Sequence, residues 1–404
     1  MDIVVLACIL LVLTAQLGSS SFVPLAPYLA SRSQVGWLLS AQGWAMCAAL
    51  PPVGHAVDRR GAQCVLQWGM LLFAYGIVCS SVSSRFDVQF MGRLSTGAAN
   101  STLFSAAMAL LMERFQEPLR AEHVGTALGF GTVGNLIGPP MGGYAFAVAS
   151  EFAIPEPQAL AFVPSALTLG VAHVALRRIP KVTSSGKALL AKPEPATDEH
   201  LLHRIFGVYT AVGMKAVVLA SVLTCLFGAQ SALLCAGVLE MHAARVSAGT
   251  IGLVVVPAAL LQAIISRWGG KMATTARRRV ALVLFSPLLL SVGFVLLVLL
   301  CRCTSVGVIT RFTIAISLPS AAMAAADAAS ISMMAELAAS HGRGFGDSMT
   351  ASELAVTAGQ GVGPSLGVFL LHVGNLEGLL LTLATASALV GVAFAATFKS
   401  TAES

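Results

Sequence analysis

Four charged side chains lie inside long apolar runs of this 404-residue sequence: Arg93, Arg311, Asp327 and Glu353. A charge at the centre of a membrane helix costs about 2.5–3.5 kcal/mol on insertion scales, so each of them needs a physical reason. Asp327 lies in an alanine-rich stretch, AAMAAADAAS, and Arg93 is its predicted counter-charge. A carboxylate beside an arginine stays ionised, and one that loses this partner can take up a proton. The pattern predicts proton movement coupled to a change of shape; a static buried pair is the alternative.

Glu353 is the second candidate acid. Asp347 is predicted to cap the start of its helix, which places Glu353 about 9 Å along the helix axis. At that depth, a proton or substrate role and a place among the lipid headgroups are both open. Amide side chains in other apolar runs are candidates for the same polar pathway, with ordinary interhelical hydrogen bonds as the alternative. They are Gln16, Gln42, Asn100 and Gln230.

A glycine-rich stretch, GTALGFGTVGNLIGPPMGG, runs from position 125 to 143. Gly134, Gly138 and Gly142 recur every four residues, so on a helix they form a bare stripe where another backbone can approach. Pro139 and Pro140 would break a water-exposed helix, whereas a membrane helix tolerates a kink there. The stretch predicts a kinked helix that moves against a partner, or else a static packing face.

The elements that must position these residues are membrane helices. The sequence is 56% hydrophobic and 10% charged, with a mean hydropathy of +0.84. Soluble domains carry roughly 25% charged residues, so the chain is expected to be an integral membrane protein built of α-helices. No metal-ligand spacing, phosphate-binding loop or nucleophile elbow is found, so we expect neither a cofactor nor an enzyme.

Twelve apolar runs are long enough to cross a bilayer, which takes about 20 residues each. They lie at 3–29, 35–56, 64–83, 87–112, 121–148, 157–176, 208–236, 247–268, 280–301, 304–336, 348–372 and 376–398. With both termini cytoplasmic, only Arg32, Arg85, Arg245 and Arg302 fall on the outer side, so the positive-inside rule favours that orientation. The formal charge of +6 then marks the cytoplasmic face, and no nucleic-acid partner is expected.

The longest connection is rich in Pro, Lys, Ser and Glu and divides the spans six and six. Its composition is typical of a flexible linker between two parts of a protein. We therefore predict an all-α membrane protein with twelve transmembrane helices in two pseudo-symmetric six-helix halves, the build of secondary transporters. The predicted parts are 1–180, a cytoplasmic linker at 181–207, 208–398 and a cytoplasmic tail at 399–404.

Several motifs resemble those of the major facilitator superfamily, and the likeness extends over essentially the whole chain. GHAVDRRG is similar to its loop motif after helix 2, MGRLSTGAA to its helix 4 motif, and the glycine-rich stretch to its antiporter motif in helix 5. The resemblance implies that these motifs serve the conformational change. The residues concerned are Gly54, Asp58, Arg59, Arg60, Gly61, Arg120, Gly125, Gly134, Gly138, Pro139, Pro140, Gly142 and Gly143.

Within that superfamily, the sequence is most similar to the drug/proton antiporters and their vesicular amine branch. The branch implies acids on helices 1, 7, 10 and 11 and bases on helices 2 and 4, which bind amine and relay protons. Arg93, Asp327 and Glu353 occupy three of these positions. Ala15, Gln42 and Gln230 stand where the branch has Asp, Lys and Glu, so the resemblance does not carry the amine substrate over to this chain.

We therefore expect a transporter that moves a small organic solute by alternating access in exchange for protons, as a monomer or weak oligomer in a lipid bilayer. Two alternatives remain open at this point. An uncoupled facilitative carrier would explain the three lost charges. A transporter-like receptor or scaffold would bind a partner without moving any solute.

Overall fold

The computed structural model describes residues 2–115, 119–179, 208–210, 212–273, 275–302, 307–341 and 345–403. Within these residues the regular elements are all α-helices. They are α1 (Ile3–Ser21), α2 (Ala26–Leu29), α3 (Arg32–Arg60), α4 (Ala62–Val82), α5 (Phe86–Arg114), α6 (Leu119–Glu151), α7 (Gln158–Arg177), α8 (Met214–Ala243), α9 (Ala248–Met272), α10 (Ala276–Arg302), α11 (Val308–Ala339) and α12 (Phe345–Glu403).

Eight helical ranges in the described part are long and apolar enough to cross a membrane. They belong to α1, α4, α7, α8, α9, α10, α11 and α12. The helices α3, α5 and α6 have 29, 29 and 33 residues but carry more polar side chains and fall outside that set. Helix α12 covers two predicted spans, because Asn375 interrupts it with a non-helical backbone at φ 60° and ψ −173°. The count of twelve and the division into two halves stay predictions.

Three local expectations are corrected by the structure. The first predicted span, 3–29, is not one helix: α1 ends at Ser21, and Pro27 then occupies the first turn of the short α2, where its missing N–H is tolerated. The GHAVDRRG motif is not a loop, because α3 continues through Arg60 and only Gly61 turns the chain, at φ 83°. Asp347 lies inside α12 rather than at its cap.

For description we take the helices in two groups along the chain, α1–α7 and α8–α12. In the first group, α1 packs against α5, α6 and α7, and α5 packs against α3 and α4. In the second group, α8, α10 and α11 pack against α12, while α9 packs against α11. Two further pairs, α3 with α12 and α6 with α9, join the groups. The predicted linker at 181–207 lies outside the described residues.

Glycine stripes make the closest packing within each group. A Cβ atom added to Gly134 would lie 2.8 Å from the carbonyl oxygen of Leu13, and Gly138 and Gly142 face α1 in the same way. In the second group, Gly359, Gly363 and Gly367 face α8, where a Cβ on Gly367 would lie 2.6 Å from the carbonyl oxygen of Ala232. Both pairs of helices therefore need bare backbone at a four-residue spacing. Helix α6 runs on through Pro139 and Pro140 without interruption.

Candidate functional site

The two groups of helices touch toward one end of the molecule. The hydroxyl groups of Ser40 on α3 and Ser365 on α12 lie 2.6 Å apart, and Gly143 of α6 meets the backbone of Ala248 at the start of α9. All four residues lie in the halves of their helices nearest to Arg32, where α3 begins. Close contacts between the groups therefore occur at this end, which we call the Arg32 end.

Polar contacts close the same end. Arg32 Nη2 lies 3.0 Å from Glu240 Oε1, at the end of α8. The hydroxyl of Tyr28 donates a 2.7 Å hydrogen bond to the carbonyl oxygen of Val246, and the Tyr28 ring meets His242 edge-on at 4.4 Å. These contacts join α2 and the start of α3 to the end of α8 and the segment that follows it.

The opposite end lacks such close packing at the predicted motif residues. Nothing lies within 4 Å of a Cβ atom added to Gly54 or Gly125, and Arg59 and Arg60 are exposed. The side chains of Asp58 and Arg120 lie outside the described residues. Because Gly54 and Gly125 face open space, the two groups are held together at the Arg32 end and not around these glycines.

Arg93 of α5 lies deep in the first group and is only 3% exposed. Its guanidinium donates to Gln42 Oε1, to the carbonyl oxygen of Ser19 at 3.3 Å and to that of Leu38 at 3.4 Å. Its Cζ also lies 4.5 Å from the centre of the Phe22 ring, within cation–π range. Neutral acceptors and one aromatic face therefore surround this charge.

The predicted pair of Arg93 with Asp327 is wrong for this structure. The hydrogen bonds of Arg93 all go to α1 and α3, and no bond or ion pair joins it to Asp327 among the described residues. The physical reason is that a guanidinium has five N–H donors, which amide and carbonyl oxygens can satisfy without a carboxylate. Gln42, predicted to line a pathway, is one of those acceptors.

The other candidate amides also make interhelical contacts. Asn100 is buried and its Nδ2 lies 3.4 Å from Ser19 Oγ, while its Oδ1 has no hydrogen-bond partner. Gln230 donates a 2.9 Å bond to Ser320 Oγ, which joins α8 to α11. Gln16 is partly buried beside Gly134. A role of these residues in a solute pathway stays a prediction.

Asp327 and Glu353 come together although they lie on different helices. Asp327 is on α11, and Glu353 is eight residues into α12, about 12 Å along the axis. Met323, one turn before Asp327, and Ala355, two residues after Glu353, belong to one apolar cluster. Both side chains are partly buried, and among the described residues neither carboxylate has a hydrogen bond or ion pair. Two acids therefore share one site without a basic partner in the described part of the chain.

The surroundings of Glu353 link the two groups of helices. Thr357, one turn further along α12, donates to the carbonyl oxygen of Glu353 at 2.8 Å, and its side chain also contacts the Cys47 thiol on α3. On the neighbouring face, Phe227, Met323 and Ala355 form a small apolar cluster. Sequence reasoning missed Thr357 and Cys47, because neither residue type is unusual in a membrane helix and no spacing marks them.

The described helices and their composition define a multi-pass integral membrane protein. The family model described as Major Facilitator Superfamily matches residues 8–241. The chain belongs to this superfamily. The predicted resemblance is thereby confirmed.

The curated relatives are transporters by name, and each aligns with part of this chain. The triacylglyceride transporter of Mycolicibacterium smegmatis is 32% identical over 95 residues, which are 24% of this chain and 17% of the relative. The vesicular acetylcholine transporter of Drosophila melanogaster is 28% identical over 120 residues, or 30% and 21%. That of Tetronarce californica is 23% identical over 120 residues, or 30% and 23%. The alignments span about a fifth of the length of these relatives.

Proposed function

We propose that this chain is a secondary active transporter that exchanges a small organic solute for protons by alternating access. The observation that carries the proposal is the pair of partly buried carboxylates, Asp327 and Glu353, on two helices that pack together beside one apolar cluster. Intramembrane acids of this kind are costly and mark proton or substrate pathways in transporters. The superfamily to which the chain belongs supports the proposal that it is a transporter.

Two nearby carboxylates can couple a proton to a solute. Like charges in a poorly solvated site repel each other, and either a bound proton or a positively charged group of the solute relieves the repulsion. A proton and a cationic solute would then compete for the same acids. This competition is the physical basis for exchange, because the site is neutralised by one or the other in turn.

The packing at the Arg32 end supports the proposed change of access. The two groups are joined there by Ser40–Ser365, Arg32–Glu240 and Tyr28–Val246, while Gly54 and Gly125 face open space. If both termini are cytoplasmic, as predicted, this arrangement corresponds to an inward-facing state. Exchange requires these contacts to break and new ones to form near the Arg60 end of α3.

The cargo proposal is a small organic cation. The names of the relatives point to two very different cargoes, a triacylglyceride and acetylcholine. The pair of acids favours a cation such as acetylcholine, because a carboxylate attracts a positively charged group and not a neutral ester. Ala15 and Gln230, which replace acids of the vesicular amine branch, leave Asp327 and Glu353 to make this contact.

The test is uptake by the full chain in vesicles. Radiolabelled acetylcholine and a panel of small organic cations are offered to proteoliposomes with an imposed pH gradient, with and without a protonophore. We expect gradient-driven uptake of at least one cation that Asp327→Asn abolishes while the variant keeps its elution profile. Glu151→Gln, the same change at the exposed end of α6, serves as the control.

Two outcomes would overturn the proposal. Uptake that the protonophore and Asp327→Asn leave unchanged would identify an uncoupled carrier. Binding without movement of any solute would favour the receptor or scaffold.

A further inference from the structure

A groove lies between α8 and the two arms of α12, which are the parts before and after Asn375, and its lining includes neither Asp327 nor Glu353. Its volume is about 640 Å³, within the range of ligand pockets. The lining includes Val217 and Gly228 of α8, Val362 and Leu366 of the first arm and Val390 of the second. Glycines Gly359 and Gly363 have no side chains to fill it. All these positions lie inside ranges that are apolar enough to cross a membrane.

The polar side chains that line this groove already have partners. The Tyr209 hydroxyl donates to the carbonyl oxygen of Ala351 at 2.7 Å, and Thr224 donates to that of Ala355 at 3.0 Å. Ser221 Oγ bonds to the carbonyl oxygen of Val217 at 2.8 Å. The groove therefore presents hydrocarbon to a ligand, and a polar solute would lose its own hydrogen bonds on entry.

A lysine side chain lies near one end of the groove and does not belong to its lining. Lys215 lies in the first turn of α8, two residues before Val217, and its Nζ is 5.9 Å from the centre of the Phe398 ring. Phe398 lies two turns beyond Val390 on the second arm of α12. Lys215 makes no ion pair with any residue in the described ranges. A lysine at a helix end can extend along apolar surface and place its charge among lipid headgroups.

We propose that this groove binds one anionic phospholipid, with an acyl chain against the glycines and the phosphate at Lys215. The apolar walls select a hydrocarbon chain and reject a polar solute. The charge of Lys215 favours an anionic headgroup over a zwitterionic one, because basic residues at the cytoplasmic side of a membrane attract anionic lipids. The ligand is a lipid of the surrounding bilayer, and the proposal does not depend on the transport cycle.

Photo-crosslinking in vesicles tests the proposal. The full chain is reconstituted in phosphatidylcholine vesicles with phosphatidylglycerol, and one of the two lipids carries a diazirine in its acyl chain. Labelled peptides are then identified by mass spectrometry. We expect residues 354–366 and 383–390 to be labelled more strongly than the surface around Leu167, which is 65% exposed on α7 and has no groove. We also expect phosphatidylglycerol to label the groove about fivefold more than phosphatidylcholine.

Four variants separate the site of the acyl chain from the site of the headgroup. Lys215→Gln should remove the preference for phosphatidylglycerol, and Lys215→Arg should keep it. Ala386→Phe fills the groove from an exposed position and should lower labelling by both lipids. Ala395→Phe, on the opposite face of the same arm, should leave labelling unchanged. Labelling around Leu167 in each sample shows whether the variant is correctly inserted.

Equal labelling of the groove and of the Leu167 surface would overturn the proposal, because the lipids would then be ordinary bilayer neighbours. Equal labelling of the wild-type groove by the two lipids would refute the role of Lys215. Crosslinks between two chains through the groove, in place of lipid labelling, would show that a second copy occupies it.

Discussion

Both groups of helices carry charged side chains in their interior, but the surroundings of these charges differ. In the first group, Arg93 is 3% exposed and holds Gln42, two backbone carbonyls and the Phe22 ring. In the second group, Asp327 and Glu353 are partly buried on two packed helices, with no bonded partner among the described residues. A charge whose three nitrogen atoms each donate a hydrogen bond fixes three helices in place. A pair of acids without partners is ready to accept a proton or a cation.

This difference departs from the mechanism expected from the sequence. There, Arg93 was the partner that Asp327 exchanges for a proton. In the structure, Glu353 stands beside Asp327 and Arg93 serves the packing of α1, α3 and α5. We therefore expect changes at Arg93 to affect stability and changes at the two acids to affect proton coupling.

The largest expected effect on stability is at Arg93. Replacing it by Met would leave Gln42 and the carbonyl oxygens of Ser19 and Leu38 without their charged donor, and each such bond contributes about 1.5–3 kcal/mol. We expect a loss of about 3 kcal/mol, seen as a fall of roughly 5 °C in the apparent Tm in detergent. Asp327→Asn should change the Tm little. A stable Arg93→Met together with an unstable Asp327→Asn would invert the comparison.

Alanine substitutions of glycines in α6 and α12 should change stability in opposite directions, depending on what the added Cβ atom meets. Gly142→Ala and Gly367→Ala would press a methyl group into the backbone of Ser21 or Ala232, so each should destabilise the protein by about 1–3 kcal/mol. Gly125→Ala is the matched control, because nothing lies within 4 Å of the added Cβ. It should raise stability by about 0.5–1 kcal/mol through helix propensity. Apparent Tm values of the three variants check the signs, and destabilisation by Gly125→Ala would contradict the packing.

The smallest effect belongs to the ion pair at the Arg32 end. The Arg32 and Glu240 side chains are 54% and 36% exposed, and exposed pairs contribute about 0.2–1 kcal/mol. Glu240→Gln should therefore lower the apparent Tm slightly at low salt and not at high salt. Asp87→Asn is the control, since its pair with Arg85 lies within the first group. A large fall in the apparent Tm that does not depend on salt would contradict the weak, exposed ion pair.

Composition and spacing predicted much of this picture. The low fraction of charged residues indicated membrane helices, and the four-residue glycine spacing indicated close backbone contact on α6, where the structure places α1. The same spacing at Gly359, Gly363 and Gly367 carries the equivalent signal for α12 and α8. The prolines near the end of α1 explain why the first predicted span is too long.

The partner of Arg93 could not be predicted in the same way. The energetic cost of a buried charge shows that a partner is needed, but it does not distinguish a carboxylate from a set of amide and carbonyl oxygens. Carbonyl oxygens occur at every residue, so nothing in the sequence marks those of Ser19 and Leu38. The meeting of Asp327 with Glu353 depends likewise on how α11 and α12 cross.

The most direct test of the account is proton movement during solute exchange, followed with a pH-sensitive dye trapped inside vesicles. An organic cation that the wild type transports is presented to the wild type, Asp327→Asn, Glu353→Gln and the control Glu151→Gln, with equal amounts of folded protein. We expect the wild type and the control to move protons against the cation, and Asp327→Asn to move none. Undiminished proton movement in both Asp327→Asn and Glu353→Gln would show that the paired acids are not the coupling site.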